Sequence, residues 1–454
     1  METKAEFSIS ETREKIIQLL QRGSFIQVKE EINTLHPVDI AEIISHLDQK
    51  DQVVLFRLLK KDIAIEVFEQ LDFEQQENLL KTFTDERAAE ILNQMSPDDR
   101  MGLFDELPAK VVKNLLQLLN PKQREMVTLM LGYPENSAAR IMNPNLVDLK
   151  ETYTVEQSLA RIRKINPPEE LIYTAYVIDA ERHLLGKVTL RDLILSPPGS
   201  LIKNIMEKEV IYVHTDDDQE KVARTIQKYD LLTIPVVDRE NRLVGVVTID
   251  DAIDIIDEET TEDIHRLVAI QTSEDEYLHS SIGQRIKSRF IWLAVLLIGG
   301  TLTSIVLQNY SQAIQTVVAL SFFVPMLIDT GGNVGSQSTA IMVRGLAIQE
   351  VNRRNLWKLV FSEVLIGSVL GFLLGWVGVL RVILLQEDWV MGIVVGLSIW
   401  TVVIVSNLVG AILPFILKKI KIDPAVSATP LITTLIDVIG IVIYLQIAQL
   451  LLQI

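Results

Sequence analysis

Leu431-Ile-Thr-Thr-Leu-Ile-Asp-Val-Ile-Gly440 sets one carboxyl, Asp437, inside an apolar run that continues to Leu450. About 20 apolar residues suffice to cross the hydrocarbon core as a helix, in which every backbone polar group bonds internally. An ionised carboxylate at that depth costs at least about 2.5 kcal/mol. Asp437 must therefore face water, a cation, a proton or a basic partner, or stay protonated in a hydrogen bond between helices. Reading outward, the same criterion gives four more spans: Ile291 to Leu307, about Gln315 to Val343, Leu356 to Leu380, and Trp389 to Leu417.

The second span holds another acid, Asp329, beside Gly331, Gly332 and Asn333. Pro325 and the adjacent glycines predict a broken helix there, with backbone carbonyls turned into a cavity. Thr433 and Thr434 lie one turn before Asp437, and Asn407 lies one turn before Gly410 and two before Pro414 in the fourth span. Oxygen donors without thiolate or imidazole suit a hard cation, Mg²⁺ or Ca²⁺. The glycines of the spans fit close helix packing equally well.

Arg285, Lys287, Arg289, Arg344, Arg353, Arg354, Lys358, Lys418, Lys419 and Lys421 flank alternate ends of the spans, whereas the opposite connections carry almost no Lys or Arg. The positive-inside rule then places the N-terminus in the cytoplasm and the C-terminus outside, in a multi-pass protein of the cell membrane. Met1 to Ser10 is polar and acidic and does not read as a signal peptide, in agreement. Membrane lipid is thus one partner.

The 454 residues carry a net charge of -17 and no cysteine. Disulfides, thiolate nucleophiles and Cys-ligated metals are excluded, and the acidity speaks against nucleic acid as a partner. Residues 1–139 show short helical periods with Pro37 and Pro97 in first helical turns, which predicts a superhelical stack of α-helices. Residues 140–257 are an internal duplication, about 140–199 and 200–257, with β-α-β-β-α order, so a pair of small α/β modules is expected. Ile172-Tyr-Thr-Ala-Tyr-Val-Ile-Asp179 recurs as Leu232-Thr-Ile-Pro-Val-Val-Asp238, and Met142 and Met206 open the two halves.

Acids then crowd together, from Asp250 and Asp251 through Asp254, Glu258, Glu259, Glu262 and Asp263 to Glu276, with Arg266 the one arginine. Such a run is either a solvated face or a set of divalent-cation sites that relieve the repulsion. Residues 258–284 read as a connecting helix and linker, and 285–454 as an all-α membrane domain of five helices. No enzyme is expected: there is no His-Glu-x-x-His and no phosphate loop, and the six histidines lie scattered outside the spans.

Residues of both halves carry a family likeness. The duplicated modules, with Gly186-Lys-Val-Thr and Gly245-Val-Val-Thr, resemble a cystathionine-β-synthase (CBS) domain pair. Pro325-Met-Leu-Ile-Asp-Thr-Gly-Gly-Asn-Val-Gly-Ser-Gln-Ser338, Asn407-Leu-Val-Gly-Ala-Ile-Leu-Pro414 and the run to Asp437 resemble the MgtE family of magnesium transporters. Where that family has Ser-Gly-Pro before the fifth span, this chain has Ser427-Ala-Thr-Pro430.

The likeness implies a homodimeric Mg²⁺ channel closed by cytosolic Mg²⁺, with Asp437 as its pore carboxylate and Asn333, Gly331, Gly332, Asn407, Gly410 and Pro414 in its pore motifs. By position it implies sensor acids Asp218, Glu220, Asp230, Asp251, Asp254, Glu259, Glu262 and Asp263, joined by Asp98 or Asp99. Adenine nucleotide at the CBS pair is a further implied ligand. The alternatives are a proton- or Na⁺-coupled transporter working through Asp329 and Asp437, and a channel for Co²⁺ or Mn²⁺.

Overall fold

The computed structural model describes residues 4–267, 282–347, 351, 356–420, 424 and 428–454. It falls into two units, Met1–Asp257 and Glu258–Ile454. The acids at 274–276, the basic pair Arg353 and Arg354, and the Ser427 stretch lie outside the described residues.

The first unit begins with a chain of short helices, from Lys4–Gln21 to Pro121–Met130. Their recurrence in the sequence is a recurrence of caps. Asp48, Asp72, Thr84, Ser96 and Asn120 each accept a hydrogen bond from the backbone N–H three residues on, which satisfies a donor the helix itself cannot. Pro37, Pro97 and Pro121 sit in first turns, where a missing N–H costs nothing. His36 caps Pro37–Ser45 at its start and His46 at its end, a structural use of both imidazoles. Ile40, Leu55, Phe56, Phe68, Ile91 and Phe104 form the buried spine of the stack.

Two three-stranded sheets follow. Strand β1 (Asp148–Lys150) runs parallel to β2 (Thr174–Ile178), which pairs antiparallel with β3 (Leu184–Thr189). In the second module β4 (Val213–His214), β5 (Thr233–Val237) and β6 (Leu243–Thr248) repeat that order, with Thr233 opposite Thr248 as Thr174 is opposite Thr189. Each module borrows its opening residues from the other's neighbourhood. Met142, ahead of the first module, packs on Gly245 of β6, and Met206, ahead of the second, packs on Gly186 of β3. A Cβ at Gly245 would stand 2.6 Å from the Met142 sulfur, so the glycine of each Gly-x-Val-Thr motif admits the crossing methionine. Tyr176 Oη and Thr233 Oγ1, 2.8 Å apart, tie the two sheets together.

Among the described residues the second unit holds five helices long and apolar enough to span a membrane: Ile282–Asn309, Val324–Ala347, Leu356–Gln386, Trp389–Lys419 and Ala428–Leu452. They are called the first to fifth spans below. The break expected at Gly331-Gly332 is not there. The second span is a continuous helix from Val324, and the interruption precedes it, at Val317 and the 3₁₀ turn Val318–Phe322. Pro325 lies in the first turn, where it breaks nothing. Tyr444 of the fifth span donates to the Leu320 carbonyl at 2.9 Å and holds that turn. The glycines serve approach instead of opening: Ile436 and Val402 crowd Gly331, where a Cβ would meet either at 2.8 Å.

The third and fourth spans meet along glycines spaced for one helix face. A Cβ at Gly375 would fall 2.6 Å from the Gly396 carbonyl oxygen, a backbone atom that cannot turn aside. Helices in lipid associate through such contact, since apolar surface gains nothing by leaving lipid tails. Gly375→Val is therefore expected to destabilise the membrane unit by about 1–3 kcal/mol, read as a lowered unfolding midpoint in detergent. Gly199→Val, at a position with open space around it, should leave that midpoint unchanged.

Candidate functional site

The polar residues singled out in the sequence gather at two places, one in each unit. In the membrane unit the second span turns Asp329, Asn333 and Gln337 outward, all exposed. Spaced by four, they form a stripe along one face. Gly331 and Gly332 stand on the opposite, buried side of the same turns, packed by Ile436 and Thr433 of the fifth span. One turn beyond Thr433 lies Asp437, half-buried. The contact of second and fifth spans thus sets two acids, Asp329 and Asp437, on neighbouring helices of apolar composition. Thr434 contributes to packing against Gly299 of the first span.

Asn407 and Pro414 are buried in the fourth span. Pro414 has no N–H, so the Gly410 carbonyl, four residues back, lacks its helical donor. Thr339 of the second span supplies one, its hydroxyl donating to Gly410 O at 3.2 Å. The Asn407 amide donates to the backbone carbonyl of Glu363 in the third span at 3.3 Å. Glu363 itself, buried at 9 % exposure, is a polar residue the sequence reading passed over. Its signal was a lone acid two turns into an apolar helix, masked by the nearby lysine Lys358.

In the first unit Glu69, Asp98 and Asp99 of the helical stack approach Asp250, Asp251 and Asp254 at the start of helix Ile249–Leu267, which follows β6. Asn143 joins the halves: its backbone pairs with Val246, N–H to O at 2.7 Å, and its side chain donates to Asp98 at 3.1 Å. Asp251 accepts from the Thr248 hydroxyl, and Asp99 accepts from Ser96 Oγ at 2.5 Å. Glu69 accepts the Ser96 N–H at 2.8 Å. Among the described residues no Lys or Arg forms an ion pair with Asp98, Asp99, Asp250, Asp251 or Asp254. Arg100 is close, wholly buried, but its guanidinium is spent on the Leu92 and Met95 carbonyls and on Gln123.

Crowded like charges favour protonation, the more so where a carboxyl is partly buried. Burial first, then Asp98, Asp250 and Asp99, pushes Asp251 up to about 8. Glu69 is raised to about 7, by burial and then by Asp99 and Asp98, against the Ser96 N–H, which lowers it. Asp99 is pushed up to about 6, by burial and then by Asp98, Asp250 and Asp254, but its side chain is exposed, as are those of Asp250 and Asp254, and solvent screens much of that repulsion. Asp254 is raised by burial and by Asp250 and Asp257.

Of the acids singled out in sequence, the structure brings together Asp98, Asp99, Asp251 and Asp254, and adds Glu69 and Asp250. Asp218 caps the helix Gln219–Tyr229 through the Glu220 N–H, Glu220 pairs with Arg224 at 3.1 Å, and Asp230 ends that helix in a left-handed conformation. Glu259, Glu262 and Asp263 follow two turns and more along Ile249–Leu267, with Glu262 paired to Arg266.

A family model described as a divalent cation transporter matches residues 324–447, the model of the MgtE intracellular N domain matches 35–136, and the CBS domain model matches twice, at 138–198 and 202–258. The magnesium transporter MgtE of Thermus thermophilus is 38 % identical over the whole of both chains. That of Bacillus subtilis is 33 % identical over 96 % of each. The crystal structure of the cytosolic domain of the Mg²⁺ channel MgtE in complex with ATP is 38 % identical, with a TM-score of 0.51, covering 54 % of this chain and 99 % of its own. With this likeness over the full length, all three family models and five helices long and apolar enough to span a membrane in agreement, this chain is a membrane protein of the MgtE family, whose curated members are magnesium transporters.

Proposed function

We propose that the protein is a homodimeric channel that admits Mg²⁺ to the cell and that cytosolic Mg²⁺ closes. The observation that carries this reading is the stripe of Asp329, Asn333 and Gln337 exposed at membrane depth beside Asp437. Lipid cannot cover such a face. A second copy of the chain enclosing a hydrated path would, and its own Asp437 would double the carboxylates offered to the ion. Mg²⁺ gives up its water reluctantly, so carboxylates with amide and hydroxyl oxygens of Asn333, Thr433 and Thr434 would hold it hydrated and let it pass. The N-terminal unit is taken as cytoplasmic and the C-terminus as extracellular, on the charge of the connections.

The acidic cluster supplies the gate. With Asp98 and Asp99 on the helical stack and Asp250, Asp251 and Asp254 on the module pair, repulsion drives the two parts of the unit asunder. A divalent cation among them reverses the sign. Glu259, Glu262 and Asp263 extend the same chemistry along the connecting helix, and Asp218, Glu220 and Asp230 add carboxylates on the module surface. Adenine nucleotide at the CBS pair is a second regulatory ligand, supported by the ATP held by the solved relative.

Three acids with raised folded-state pKa bind protons more tightly folded than unfolded, where carboxylates titrate near about 4. Their repulsion is absent while they are protonated, so stability of the first unit is full below about 4 and is lost as pH rises through about 6 to 8. In the purified full-length protein without divalent cations, amides over 97–106 and 249–257 should therefore lose protection between pH 5 and pH 8, measured relative to their intrinsic base-catalysed exchange rates. Millimolar Mg²⁺ or Asp251→Asn should suppress most of that change. Protection factors unchanged across this window would remove the cluster as sensor.

Passive Mg²⁺ flux into proteoliposomes tests the pore. Asp437→Ala should abolish it, and wild-type flux should be indifferent to proton and Na⁺ gradients. Flux that follows either gradient supports a coupled transporter through Asp329 and Asp437 instead. Equal flux of Co²⁺ or Mn²⁺ would deny selectivity for Mg²⁺.

A further inference from the structure

The third span contains a single acid, Glu363, about 10 Å along the helix from Leu356 at 1.5 Å per residue. It is buried, and among the described residues no Lys or Arg pairs with it. Its neighbours are polar groups of two other spans. Ser338 Oγ of the second span lies 3.0 Å from Glu363 Oε2 and 3.2 Å from the Asn407 backbone oxygen of the fourth. The Asn407 amide returns to the Glu363 carbonyl. Thr339, next to Ser338, holds the Gly410 carbonyl that Pro414 left without a donor.

One hydroxyl has one proton. If Ser338 donates to the Asn407 carbonyl, which can only accept, the Glu363 carboxyl carries a proton and donates to Ser338. If Ser338 donates to Glu363, the carboxyl accepts. Either arrangement joins three helices through one oxygen, and a glutamine can serve in both, having an N–H donor and a carbonyl acceptor. The junction also fixes height. Ser338 lies five residues beyond Asn333 and nine beyond Asp329 on one unbroken helix, so a second span held at Ser338 cannot slide or turn at Asp329.

We infer that Glu363 is a positioning residue: through Ser338 and Asn407 it locks the second span to the third and fourth, and so sets where Asp329 and Asn333 stand beside Asp437. This inference rests on the pore reading above. It assigns Glu363 no contact with the ion. An acid in apolar surroundings stays only while its partners are present, so losing the junction lets the second span seek another register.

The test uses the full-length protein in proteoliposomes, with Mg²⁺ flux measured per inserted molecule as external Mg²⁺ is varied. Glu363→Gln should keep flux and half-saturating Mg²⁺ near wild type. Glu363→Leu should lower flux on the order of tenfold and raise half-saturation, because displacement of a binding group by about 1 Å has effects of that size or larger. Loss of folded protein alone would lower flux and leave half-saturation where it was. Ser338→Ala should shift both quantities the same way, and adding it to Glu363→Leu should cost nothing more.

Wild-type flux and half-saturation in Glu363→Leu would overturn the inference. So would a Glu363→Gln variant as impaired as the leucine, which would show that the charge itself is needed. Should Glu363→Leu fail to insert, unaltered behaviour of Ser338→Ala overturns it equally. Because the chain has no cysteine, Asn333→Cys can also be probed alone with a membrane-impermeant thiol reagent. Its labelling rate should change with Ser338→Ala even if wild type carries no Mg²⁺, an outcome that would sink the channel reading and leave the junction standing.

Discussion

Apolar helices in a bilayer gain little by touching, so their arrangement must come from close fit and from the few polar bonds they share. In the membrane unit both come together where the second span crosses the fourth and fifth. A Cβ at Gly410 would meet the Gly335 carbonyl oxygen at 2.5 Å, and Ile432 and Ile436 fill the space at Gly335 and Gly331. That closeness lets Thr339 reach the Gly410 carbonyl and Ser338 reach Glu363. Remove the glycines and the hydroxyls lose their partners. Remove the hydroxyls and a proline-freed carbonyl and a buried acid are left unpaired, each a large cost in lipid. The contact and the bonds enforce one another, and the outward stripe of Asp329, Asn333 and Gln337 is the face this packing leaves uncovered.

The first unit is built on the opposite tension. Its core is ordinary, with caps satisfied and apolar residues buried, yet it brings five aspartates and a glutamate together where two parts of the unit meet. Asn143 bonds across that meeting, to Val246 and to Asp98, and Arg100 lends a nearby positive charge that is already committed to backbone carbonyls. A fold meant only to be stable would place a lysine there. Repulsion left unanswered makes the spacing of the helical stack and the module pair depend on what the solution supplies, protons or divalent cations.

Sequence periodicity and composition were enough for the helical stack, the two α/β modules and the five spans, because caps, duplication and hydrophobic length are local properties. Pairing acids across the unit was only partly legible. Asp251 and Asp254 advertise themselves in a charge run, and Asp98 and Asp99 stand beside a helix-starting proline, but nothing near Glu69 marks it as their neighbour. Glu69 meets Asp98 and Asp99 through the Ser96 N–H, 27 residues along the chain, whereas Asp251 meets Asp98 across more than 150. Gly331-Gly332 misled for a related reason. Two glycines in a helix read as a break when the chain is considered alone, and as a packing notch once Ile436 and Val402 are seen to fill it. Propensity names what a residue permits, and the neighbour decides which use is made of it.

Glu363 was missed for a different reason, and it separates two kinds of intramembrane acid. Asp329 and Asp437 sit among glycine, threonine and asparagine, and their surroundings within one chain do not use up their oxygens. Glu363 sits among apolar residues in sequence, yet in space it is met by Ser338, with Asn407 bonded to its backbone. An acid whose bonds are closed inside the protein holds helices in place, whereas one whose oxygens remain open to a hydrated path can exchange partners with an ion. The channel proposed above would need both kinds. Helices free to shift would collapse around a departing cation, and helices joined only by closed bonds would offer it nothing to enter by. The second span carries both on one continuous helix, the junction at Ser338 and the open stripe from Asp329 to Gln337, so that whatever moves its junction also moves that stripe.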